Sequence, residues 1–216
     1  LLARNERYYI YSTNTQISPE NDNTTAVTLE TVLRDSAHPL TRLQRYSLAV
    51  TVASSFIQLA GTPWMRSRWA KSDLVFFRNP TEPSKLGLYE RPFVSRDFSQ
   101  GPESEDPAAA SAKAVRSDEI IGGFESLGIV LLELCFGKPI EMYPVWLKLG
   151  SDLLAALEWL KDVTEEAGPD YADAVAWCLI GGRTISTGRS DSWRAVMSDR
   201  VVKPLGQCRS YIAPLV

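Results

Sequence analysis

The chain has 216 residues, 44% of them apolar and 23% charged, with a formal net charge of -3. That length can bury a real core without staples, and the composition is that of a globular protein. A near-neutral, slightly acidic balance gives no electrostatic reason to expect nucleic acid or an anionic membrane as a partner.

In chain order, "RYYIYS" (7–12) reads as a strand, dense in aromatic and β-branched residues, and a polar loop follows it. Asn23-Thr24-Thr25 within that loop matches a glycosylation sequon at a frequency chance supplies. "AVTLETVLRD" (26–35) has a short helical period, and His38, the single histidine, sits beside Pro39 in a loop. Residues 1–40 are thus expected to form a hinge-like strand, a polar loop and a short helix ahead of a helical domain spanning 41–216. A chain opening on Leu1 is expected to be a fragment or a processed form.

"LQRYSLAVTVASSFIQLAG" (43–61) predicts a buried helix stopped by Gly61 and Pro63. "DLVFF" (73–77) and "KLGLYER" (85–91) predict a small β-hairpin across a turn with Asn79, Pro80 and Pro83. Residues 95–119 are small, charged and proline-containing, the composition of a mobile loop.

"SLGIVLLELCFGKPIE" (126–141) is apolar on every side, with Glu133 alone in its middle. A helix apolar all round is a membrane span or the central post of a domain. Its apolar run is shorter than the roughly 18 to 20 residues a bilayer needs, so 120–136 is expected to be the most buried helix, with Glu133 in a structural role.

Residues 151–168 predict an amphipathic helix capped by Ser151, with Leu153, Leu154, Leu157, Leu160 and Val163 on one stripe, stopped by Gly168-Pro169. Residues 170–181 repeat that logic with Asp170 as cap and Val175, Cys178 and Leu179 inward. "GGRTISTG" (181–188) lacks the Lys-Ser/Thr of a phosphate loop and reads as a helix–helix connection. A last helix from about Ser190 is expected to bury Trp193, Val196, Met197 and Val202, and Pro204 to kink or end it. The three cysteines (Cys135, Cys178, Cys208), odd in number and in apolar contexts, read as buried free thiols of a reducing, cytoplasmic compartment. One histidine leaves little for a His-based metal cluster or a Ser-His-Asp triad. No cofactor or metal is expected.

The run through Ser126, Leu127, Gly128, Leu132, Glu133, Gly137 and Pro139 resembles the central helix of the protein kinase C-terminal lobe, D-x-W-S-L-G-x-x-L-x-E-x-x-x-G-x-x-P. Together with residues 47–77 and "SDRVVKPLGQ" (198–207), it resembles a fungal family of kinase-like domains of unknown function, found beside modules of innate immunity and heterokaryon incompatibility. The resemblance covers most of 45–206. It implies a mainly α fold, α+β overall: a kinase-like C-terminal lobe with a small hairpin and a central buried helix.

The resemblance also implies where catalysis would sit. A kinase needs an Asp to accept the hydroxyl proton, an Asn for magnesium and a second Asp in D-F-G. On that pattern Trp69 stands at the catalytic Asp, Leu74 at the Asn, and Gly123 at the Asp of the central helix; none can do the required chemistry. Lys71 keeps its place two residues after Trp69, and Asp73 and Asp97 (in Asp97-Phe98-Ser99) are the weak candidates for a metal. No G-x-G-x-x-G occurs. The expectation is a pseudokinase-like module that binds a protein partner, or other domains of its parent chain, across Trp64, Met65, Trp69 and Phe93. The loop carrying Ser104, Ser111 and Ser117 is expected to order on binding. The rival is an atypical kinase fragment using Asp73 and Asp97 for metal.

Overall fold

A computed structural model describes residues 25–62, 64–65, 68–78, 92–95, 112–184 and 192–213. The expected strand at 7–12, the second hairpin strand at 85–91, residues 96–111 with Asp97, and 185–191 lie outside the described residues. The described part is mainly helical with one small antiparallel sheet.

The sheet has the order β1 (Thr25–Thr28), β2 (Leu74–Arg78), β3 (Phe93–Val94). β1 pairs with β2 through Val27 opposite Phe76, and β3 pairs through Leu74 opposite Val94. The helix expected over 26–35 therefore starts later: three of the four residues of β1 are β-branched, and helix α1 is confined to Leu29–Arg34. Thr28 makes the switch, its Oγ1 accepting from the Thr31 N–H at 3.2 Å.

Helix α2 (Arg42–Leu59) opens on a capping box between Thr41 and Gln44 and buries Tyr46, Ala49, Val52, Ala53 and Phe56. Its last carbonyls are taken by Arg194, whose guanidinium donates to Ile57 O (3.1 Å) and Ala60 O (3.3 Å).

Helix α3 (Ala112–Phe136) is the post of the fold, with Phe124, Leu127, Val130, Leu131, Leu132, Leu134 and Cys135 all buried. It packs against α2 and, on the other side, against α7 (Pro169–Leu179). The approach to α7 requires Gly128, where a Cβ would lie 2.6 Å from Leu179 Cδ2. At its C-terminus Gly137 takes φ 67°, and Arg45 donates to the carbonyls of Leu134 and Cys135. The loop expected over 95–119 is overturned at its end: 112–119 are the first two turns of α3, because Ala, Lys, Arg and Glu propagate a helix once its apolar part is nucleated.

The helix expected over 151–168 is broken into α5 (Asp152–Trp159), a 3-10 turn (Leu160–Asp162) and α6 (Val163–Ala167). Its deepest residues are Ala155, Ala156 and Trp159; of the expected stripe Val163 is buried, Leu153, Leu157 and Leu160 are half-buried against the core, and Leu154 is 49% exposed. Trp159 stacks on Phe136 and Tyr143, at 4.5 and 5.1 Å between ring centroids. A short helix α4 (Trp146–Leu149) precedes α5. Ser151 is the residue before α5 but gives no side-chain cap, and the cap of α7 is Gly168, with Pro169 at its first turn, not Asp170.

Helix α8 (Ser192–Met197) buries Trp193 and Met197 and leaves Val196 40% exposed. Pro204 does not end the path: a π-helical stretch, Ser198–Val202, leads into α9 (Lys203–Ile212) and turns Val201 inward with Val202 half-buried. One apolar cluster runs from the sheet through all the long helices.

Candidate functional site

A cavity of about 370 Å³ lies between residues 68–72 and one face of α3, with Glu141 and Asp152 at its side. It is the place to which the kinase resemblance assigns catalysis, so each residue there can be followed from sequence to position.

Trp69 is 4% exposed. Its ring lies 6.3 Å from Phe56 of α2, and its indole Nε1 is buried without a hydrogen-bond partner. Leu74, the first residue of β2, is also core, and Gly123 is buried within α3. Asp73 closes its own turn: its Oδ2 accepts from the Ala70 N–H at 3.0 Å, and its carbonyl accepts from Ser95 at 2.8 Å. Among the described residues no group of three or more His, Cys, Asp or Glu could hold a metal ion.

Lys71 is the one charged residue of this stretch that is buried. Its Nζ donates to Glu133 Oε1 at 2.6 Å and to Glu141 at 2.7 and 2.9 Å. Glu133, 1% exposed, also accepts the Ile140 N–H at 2.9 Å, so the acid inside the apolar helix is doubly satisfied. Arg34 extends the network, 3.6 Å from Glu141 and 3.2 Å from Glu30.

Burial alone would lower the Lys71 ammonium, but the two carboxylates outweigh it and hold it above its ordinary value. Burial raises Glu133 above the usual carboxylate range against the pull of Lys71 and the Ile140 N–H. Partial burial pushes Glu141 up too, yet the hydrogen bonds from Lys71 win and leave it depressed.

The expected contact patch divides. Trp64 is 38% and Phe93 43% exposed, whereas Met65 and Trp69 are core. Trp69 can therefore contribute to a partner surface only if its segment moves. Phe93 packs edge-to-face on Phe77, centroids 5.1 Å apart. Among the described residues, sequence reasoning missed Glu141 and Arg34, which only the fold brings to Lys71.

His38 is exposed and lies 3.4 Å from Asp35, as a loop residue. The three cysteines are free and buried; burial pushes Cys135 up to about 12 and raises Cys178 and Cys208 as well.

Fold and site together define a mainly helical protein with a small antiparallel sheet, built around an apolar post with an internal ion cluster. The chain belongs to a family described as a domain of unknown function (DUF7580), whose model matches residues 1–210. No curated protein and no solved structure matches it. Among the described residues no helix is long and apolar enough to cross a membrane.

Proposed function

We propose that this chain is a non-catalytic, pseudokinase-like interaction module related to a kinase C-terminal lobe, acting within a larger fungal signalling or incompatibility-type protein. The observation that carries the reading is the state of residues 69–71. The position the resemblance gives to the catalytic base is a buried indole, and the lysine two residues on is held between Glu133 and Glu141. An ammonium so engaged is not free to meet a phosphate.

A partner surface would be centred on the exposed Trp64 and Phe93, since aromatics are enriched where binding energy concentrates. The rival reading, a kinase fragment with rearranged metal ligands, loses support because the Asp73 carboxylate closes its own turn.

The test is thermal stability with and without ATP and magnesium, beside transfer of labelled phosphate. A ligand that binds the native state must raise the midpoint. An unchanged midpoint and no transfer agree with the proposal; a magnesium-dependent rise or transfer overturns it.

A further inference from the structure

Residues 69–73 are bound to the rest of the protein in an unusual way. Among the described residues, the backbone hydrogen bonds of 69–72 all close within the segment or onto its neighbours: Asp73 N–H to Ala70 O at 2.9 Å, Leu74 N–H to Lys71 O, and Ala70 N–H to the Asp73 carboxylate. The first bond that ties this stretch to another element is made by the carbonyl of Asp73, to Ser95. Among the described residues, what holds 69–72 down is side chains: the Trp69 ring against Phe56 and the Lys71 ammonium between Glu133 and Glu141.

Both attachments are compromised. The indole N–H is buried with no acceptor, which costs free energy in the docked state and none once water reaches it. The ammonium is dehydrated and depends on having its carboxylates in place. The cavity beside the segment, walled by Lys71 and Ser72 on one side and Ser126, Ile129 and Glu133 on the other, further withholds the close packing that would fix it.

We infer that residues 69–72 form a strap, docked among the described residues by side chains over the cavity beside α3, which undocks as a unit under the control of the Lys71–Glu133–Glu141 cluster and thereby exposes Trp69. Such a local opening needs no change in the apolar face of α3 or in its C-terminus, which Arg45 closes. The inference rests on the geometry of the strap and not on the loss of catalysis; an active enzyme with this strap would undock in the same way.

Amide hydrogen exchange on the whole chain tests it. In the native protein the Asp73 amide should exchange faster than the amides of Leu131 and Leu132 in α3. Glu141→Gln, which removes one of the two carboxylates at a half-exposed position, should raise strap exchange roughly tenfold or more while leaving α3 unchanged. Glu141→Asp keeps the charge on a shorter stem and should loosen the strap by less, which provides the reading if the glutamine variant does not fold. Strap exchange that tracks α3 in the native protein overturns the inference. So does an unchanged strap in a folded Glu141 variant.

Discussion

Lys71, Glu133 and Glu141 form one cluster, but losing the charge of each has a different effect on folding. Glu141 is depressed on folding, because the bonds from Lys71 and the charge of Arg34 outweigh its partial burial. A group depressed in this way stabilises the fold above its unfolded value, here the ordinary 4.5, and the contribution is lost as pH falls through the lower folded value. Glu133 runs the other way: burial raises it, so keeping it ionised at neutral pH is a cost that Lys71 and the Ile140 N–H offset in part. The difference in unfolding free energy between the native protein and Glu141→Gln isolates the first effect. It should be widest above about pH 4.5 and close as pH falls below it, measured by urea unfolding at a series of pH values. A gap that stays constant into acid would mean that Glu141 gains nothing from Lys71.

At the scale of elements, two glycines in helices should respond oppositely to the same substitution. Gly128 of α3 faces α7 so closely that a Cβ would meet Leu179 Cδ2 at 2.6 Å, Leu179 Cγ at 2.8 Å and Cys178 Cβ at 3.2 Å. Leu179 is buried and has nowhere to swing. Overpacking of this kind costs about 1 to 3 kcal/mol, against a helix-propensity gain of about 1 kcal/mol, so Gly128→Ala should be net destabilising. Gly206 of α9 has nothing within 4 Å of an added Cβ, so Gly206→Ala should stabilise by roughly 0.5 to 1 kcal/mol. Chemical denaturation of the pair decides it; equal signs would mean that the α3–α7 contact is looser than drawn. The Gly128 constraint also marks what was legible from the sequence. The all-apolar run of 126–141 announced a buried post, and the post is there, because a helix without a polar face has only the interior to occupy. Helix α2 was equally plain, its apolar run lying between Thr41 and Gly61. What failed depended on partners. In α5 the period finds most of the inward stripe but not that Ala155, Ala156 and Trp159 lie deepest, because Trp159 stacks on Phe136 and Tyr143, which no local pattern shows. β1 escaped notice because four residues are too few to show a period, whereas the packing of the Trp69 segment against the long helix is the plainer reading of its aromatics, and Phe56 of α2 is what it packs on. Lys71 was legible as a residue of interest, its two acids only through the fold.

For the molecule as a whole, the three cysteines lie in α3, α7 and α9, one in each of three helices that pack around the same core. Each thiol is buried, and burial raises each above its ordinary range, so neither access nor thiolate character is present in the native state. The chain thus carries its own unfolding clock. A thiol reagent added to native protein should modify Cys208, the least enclosed at 6% exposure, before Cys135 and Cys178. The latter two should react together at the rate of global opening, with mass spectrometry counting the adducts over time. Early modification of Cys135 alone would place a local opening at the end of α3. Because no cysteine belongs to the strap or the sheet, labelling them reports the helical body only; movement at Trp69 leaves the clock unchanged, and the two can be timed separately in one sample.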